Sequence, residues 1–278
     1  MPLVKYEVPY AALQRSFSTK FISAAVDADL GDANAMIVSP SRDMERRGHE
    51  VGSVRFVNAS GSARDMALAV RLRQAEWVAG QVTAAGVYTD DTTDAQDIGT
   101  ADFSMHDRTD SGSGFLVGAS VPWNALGLVQ AAAGDQTTPV FITEYWNGTA
   151  WTNIQSSLLI GTATTNLLNG DGTGEKVQLF EIPAGWVIGG TPTATVPQTT
   201  YNIRFRVTHS GAGTADPTAS QLFVGVAAFH EAALASNTES LTELSHPYRF
   251  PREGDALFHL CEVADAAIYA QVQHRFYW

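Results

Sequence analysis

The stretch from Val140 to Thr152 sets two runs of β-branched and aromatic residues on either side of an Asn-Gly pair. A two-residue type I′ turn needs positive φ at both central positions, and Asn-Gly supplies it, so this stretch predicts a β-hairpin. With Asn147 and Gly148 at the turn, Trp146 faces Thr149, Tyr145 faces Ala150 and Glu144 faces Trp151. Tyr145, Trp146 and Trp151 are then tied to one tight ribbon. They read as packing groups and not as ligand aromatics, because large aromatic side chains bury most of their area where they can.

The rest of the chain repeats the strand theme. Met66, Leu68, Val70 and Leu72 alternate with Ala67, Ala69, Arg71 and Arg73. From Tyr201 to Thr208, Ile203, Phe205 and Val207 point one way while Arg204 and Arg206 point the other. Period-two alternation of this kind is the mark of a strand with one face in a core. Phe115–Gly118, Trp123–Val129 (with a bend at Gly127), Val177–Ile182, Leu222–Val226 and Ile268–Trp278 read as further strands. Glu231–Leu244 reads as a short helix or a long loop, and residues 1–20 as a lead-in or an arm onto a neighbour. Many short strands between Gly, Pro, Thr and Asn turns predict an all-β fold with few short helices. That fold is a β-sandwich or jelly roll, as one large or two packed modules. The acidic, polar stretch from Thr89 to Gly114 is the best internal boundary. It gives an N-terminal β-rich region (1–97), a sandwich module carrying the hairpin (98–208) and C-terminal strands that complete the sandwich (209–278).

Charge and cysteine content narrow the function classes. With 17 basic against 29 acidic residues the net charge is −12, which argues against nucleic acid as a partner. No apolar run approaches a membrane span and the stretch Met1–Glu7 has no apolar signal core, so neither a membrane partner nor export by the common route is expected. Cys261 is the single cysteine and reads as a small buried hydrophobe on the side of Leu257, His259 and Val263.

Candidate sites are few. Trp123, Trp146, Trp151 and Trp186 would suit a sugar-stacking platform but read as core. Asp90, Asp91, Asp94 and Asp97 lack the alternating spacing of a calcium loop, and Asp171-Gly172-Thr173-Gly174-Glu175 is more simply a turn. The seven histidines form no H-x-H or H-x-x-x-H pair, and there is no G-x-S-x-G elbow; Ser113 sits between glycines in a polar loop. No catalytic, cofactor-binding or metal residue is assigned, and an enzyme is not expected. Arg204 and Arg206, on the outward face of their strand, read equally as contacts to an acidic partner across a subunit boundary and as ordinary solvated strand arginines.

Four motifs in order carry a family resemblance: Phe115-Leu116-Val117-Gly118, Glu144–Trp151 with its Y-W-N-G-x-x-W pattern, Pro183-Ala184-Gly185-Trp186, and Tyr201–Val207. Over roughly residues 98–208 the series resembles a β-sandwich module of tailed-phage structural proteins, including decoration and tail-fibre components. Asn202 departs from the pattern, standing where an aromatic is often found. The resemblance implies a scaffold without catalytic residues or cofactors, located in the virion. It implies a homotrimer that binds the major capsid protein or other virion proteins. Capsid decoration is the first expectation; a fibre component recognising a host surface glycan is the alternative.

Overall fold

A computed structural model describes residues 15–22, 36–38, 49–97, 102–160, 174–191, 195–249, 256–261 and 267–276. The strands there, in chain order, are β1 (Arg15–Ile22), β2 (Met36–Val38), β3 (His49–Asn58), β4 (Arg64–Arg71), β5 (Trp77–Val82), β6 (Tyr88–Asp90), β7 (Phe103–Ser104), β8 (Gly114–Ala119), β9 (Ala125–Ala132), β10 (Val140–Trp146), β11 (Trp151–Asn153), β12 (Leu158–Ile160), β13 (Gly174–Phe180), β14 (Tyr201–Thr208), β15 (Thr218–Leu234), β16 (Thr238–Arg249), β17 (Ala256–Cys261) and β18 (Ile268–Phe276). A five-residue helix, Thr92–Gln96, interrupts the acidic stretch. The fold is all-β, as the alternation predicts.

All strand pairs are antiparallel, in three sheets. One has four strands in the order β1-β18-β3-β16, and one has six in the order β11-β10-β14-β8-β5-β6. The largest runs β12-β13-β9-β15-β4-β17-β2, with β7 also paired to β15. Strands from all three segments marked off in the sequence share these sheets. The six-stranded sheet takes β5 and β6 from before residue 98, and β15, from beyond 208, runs between β9 and β4.

The large sheet is buried on both sides, and its register shows how. Val226 on β15 packs with Phe115, Ile203, Phe205, Leu128 and Trp123 in a core shared with the six-stranded sheet. Its cross-strand partner Val70 packs instead with Phe56, Val54, Ile268 and Leu257, in a core shared with the four-stranded sheet. Directly paired residues lie on one face, so the two smaller sheets sit side by side on the same face of the large one. The opposite face carries Ala67, Ala69, Ala125, Leu179, Phe223, Phe258 and Leu260, all inaccessible to solvent. There the sheet curls: β12 reaches β4 and β13 reaches β17, closing a third core inside the curve. Burial on both faces explains why β4 reads Met-Ala-Leu-Ala-Val, with alanine where the curve is tight and larger side chains where the other sheets pack.

Several local expectations shift. Glu231–Leu244 is neither helix nor loop but the end of the 17-residue β15 and the start of β16, and the chain passes between two sheets there. β9 runs through Gly127 with its pairing to Phe223 and Val177 intact, so the bend is absent. Leu257 is buried and His259 is 8 % exposed, while Cys261 is only half-buried. The Asp171–Thr173 turn, Val263, residues 277–278 and most of the lead-in lie outside the described residues.

Candidate functional site

Alternation along β10 divides the hairpin between two environments. Phe141, Thr143 and Tyr145 face the first core, while Val140, Ile142, Glu144 and Trp146 face away from it, onto the outer face of the six-stranded sheet. The turn differs from the expected type I′. Glu144 pairs with Asn153, Tyr145 with Thr152 and Trp146 with Trp151, so four residues and not two form the loop. Gly148 has φ +95°, whereas Asn147 is not in the left-handed region. The Asn147 side chain instead accepts from the backbone N–H of Thr149 at 2.9 Å and of Ala150 at 2.8 Å, and its amide donates to Thr152 Oγ1 at 2.9 Å. Asparagine here closes the loop by its side chain and not by its φ.

The two-residue shift sets Trp146 and Trp151 edge to face at 5.6 Å. Trp146 is buried and Trp151 half-buried. Trp123 is inaccessible and meets Phe180 and Trp186 at ring distances of 5.4 and 6.1 Å, so these tryptophans are core groups. Tyr145 is half-buried against the same core.

Arg204 and Arg206 also stand on the outer face, yet neither extends freely from it. Both turn onto Glu144, which the β10–β14 register sets beside them. Glu144 Oε2 accepts from Arg204 Nε at 3.0 Å, Arg204 Nη2 at 2.8 Å and Arg206 Nε at 2.8 Å; Oε1 accepts from Arg206 Nη2 at 3.1 Å. Glu144 is 7 % exposed. Burial alone would raise its pKa, and the two guanidinium groups outweigh that and hold it below the usual carboxylate range. Arg204 is lowered by burial in spite of Glu144. Its guanidinium lies 4.5 Å over the Trp151 ring, a cation–π contact that fixes its plane.

Residues 181–191 and 195–200 cover the upper part of this face. Val187 N–H donates to Trp146 O at 3.0 Å, and Val196 enters an apolar pocket with Val82, Leu116, Tyr88 and Trp151. Thr195 Oγ1 donates to Tyr88 O at 2.7 Å and accepts from Tyr88 N–H. Asn202 explains its own departure from the family pattern. It is fully buried, donates to Gly189 O at 2.9 Å and Pro197 O at 2.7 Å, and accepts from Thr200 Oγ1 at 2.7 Å. No aromatic could satisfy those carbonyls. At Gly80 a Cβ would lie 2.6 Å from the Tyr88 ring, so only glycine lets that ring lie on the strand.

At the far end of the sandwich is a cluster that sequence spacing concealed. His106 is inaccessible to solvent, and its Nδ1 lies 2.8 Å from Ser113 Oγ. Ser113 donates its one hydroxyl proton to Asp107 O at 3.1 Å and accepts from Asp107 N–H at 3.2 Å. His106 Nε2 is buried and has no hydrogen-bond partner among the described residues. His209 meets His106 edge to face at 5.4 Å, and both its ring nitrogens are buried without a hydrogen-bond partner among the described residues. Burial first, and then His209, hold the His106 pKa below its ordinary value. The two histidines are 103 residues apart, and only the fold unites them.

The acidic stretch is locally satisfied: Asp90 Oδ1 accepts from Tyr88 Oη at 3.1 Å and Thr92 Oγ1 at 2.6 Å. Burial and then Asp94 raise the Asp91 carboxyl. Among the described residues no group of three or more His, Cys, Asp or Glu is placed to hold a metal ion. No family model, no curated protein and no solved structure matches the chain.

Proposed function

We propose that the chain is a structural protein of a tailed-phage particle, a decoration (cement) protein that binds the outer head lattice as a homotrimer. The observation that carries this reading is where the motif residues lie. Trp146, Trp186 and Asn202, from the motifs that resemble the phage module, are buried in a hydrogen-bonded scaffold. What that scaffold presents on the outer face of the six-stranded sheet is Trp151, Arg204 and Arg206, side chains of the kinds that protein interfaces favour at their centres, beside the exposed Val140. The all-β architecture and the resemblance of residues 98–208 support the same reading.

Such a protein acts by equilibrium alone. Binding the assembled shell and not its free subunits stabilises the shell by mass action, and symmetric copies add by avidity. The net charge of −12 suits an exposed coat that must not self-aggregate. The test is copy number in purified particles: decoration predicts stoichiometry comparable with the major capsid protein, and a handful of copies per particle refutes it. The second reading, a fibre component recognising host glycan, draws on the half-buried Trp151 beside two arginines. It predicts few copies and a measurable affinity for host surface sugar.

A further inference from the structure

We propose that Arg204 and Arg206 form a docking point for one carboxylate, supplied by an acidic segment of a neighbouring protein in the particle. This rests on the structural role proposed above and names the chemistry of the contact.

The cluster is one negative charge short. Two guanidinium groups share the single carboxylate of Glu144, and among the described residues no other acidic group acts on Arg204. Glu144 has both oxygens occupied, three bonds on Oε2 and one on Oε1. On each arginine Nε and Nη2 are engaged, while neither Nη1 has a partner among the described residues, and neither is buried. Two open donors therefore stand on adjacent positions of one strand face, with side chains 13 % and 24 % exposed.

The donors are also held in place. Arg204 is stacked on Trp151, and both arginines are anchored to Glu144, so little side-chain freedom remains to be lost on binding. Gly112 contributes no side chain beside Arg206: even a Cβ there would stay 4.0 Å from Nη1. Apolar area adjoins the charge, since Ile142 pairs with Arg206 and Val140 is 56 % exposed. A locally cationic spot rimmed by apolar residues, on a chain of net −12, attracts an acidic segment where the rest of the surface repels one.

The experiment titrates the full chain with a hexaglutamate peptide and follows the Arg204 and Arg206 side-chain N–H signals by NMR. Oligogalacturonate serves as the second arm. The expected result is a saturable shift of both signals with hexaglutamate. Arg206→Gln weakens binding by about tenfold, the size expected for a lost charge-assisted hydrogen bond. Glu144→Gln, which removes the competing carboxylate, tightens it; a purely structural cluster would not give these opposite signs. Arg206→Lys keeps the charge and recovers part of the loss, so the test stands even if Glu144→Gln fails to fold. Affinity unchanged in Arg206→Gln overturns the proposal. Saturation by oligogalacturonate and not by hexaglutamate also overturns it, assigning the donors to a sugar acid. Low copy number with peptide binding intact would refute decoration and leave this site standing.

Discussion

Replacing His259 by leucine should remove a defined part of the chain's acid sensitivity. His259 lies on β17 opposite Leu68, 8 % exposed, with its ring stacked on Phe56 at 6.4 Å. Its Nε2 is buried without a partner among the described residues, and burial takes its pKa from 6.5 down to about 4. The neutral ring is thus favoured in the fold, while the unfolded chain takes up a proton as the pH drops below 6.5. Stability is therefore whole above that value and is lost as the pH falls towards 4. Integrating the two titrations gives a loss of about 2 kcal/mol at pH 5 relative to pH 8, approaching about 3 kcal/mol below pH 4. The assay is urea unfolding of both proteins at pH 8, 6, 5 and 4. Carboxylates titrate in both, so the difference between the two curves isolates His259. Leucine has similar volume and no polar atom to leave unpaired, so the variant should match or exceed the parent at pH 8 and gain on it by about 2 kcal/mol at pH 5. Parallel curves would refute the burial argument.

The remaining expectations follow from single contacts. Gly148→Val puts a β-branched residue at φ +95° against the Val187 methyl groups, 3.5 Å from the new Cβ, and should cost roughly 1–2 kcal/mol in thermal unfolding. An unchanged melting temperature would remove the left-handed assignment. Trp123→Ala opens a cavity beside Phe180 and Trp186 and should cost about 3–5 kcal/mol by urea unfolding; a loss below about 1 kcal/mol would contradict its place in the core. Glu144→Ala leaves Arg204 and Arg206 facing one another half-buried, and should destabilise by about 1–3 kcal/mol, more at low salt than high, because like charges are screened. Below pH 6.5 the His106–His209 joint should open, since the folded state disfavours the charged ring. Hydrogen exchange over residues 105–113 and 209–217 should then rise between pH 7 and pH 5, once corrected for intrinsic rates, and His106→Phe, which removes the titrating ring, should suppress that rise.

The sequence made the architecture legible wherever one face of a strand is core and the other is not. Ile203–Thr208 alternates in sequence and in burial, because its outer face carries arginines and its inner face packs. Where both faces are buried the pattern misled: Ala67 and Ala69 read as a lesser face, yet they line the third core. The hairpin was legible as a hairpin, but its register was not. Asn147 can serve a turn through positive φ or through its side chain, and the choice rests on Trp146 meeting Trp151, a packing preference outside the local sequence. Arg204 and Arg206 were placed on the correct face, but Glu144, 60 residues earlier than Arg204, gave no signal that it would hold them. His106 and His209 were two scattered histidines until β14 and the chain after β7 ended side by side. Asn202 departs from a motif in sequence, and in the fold it is one of the residues that tie segments 181–191 and 195–200 to the sheet.

The central claim, that this chain coats the head of a phage particle, is tested most directly by locating it in a reconstruction of the intact virion. The account predicts density for the three-sheet fold on the outside of the head, repeated at the lattice threefold positions, with the Arg204–Arg206 face turned towards a neighbouring subunit. Density confined to the tail or its fibres would contradict it.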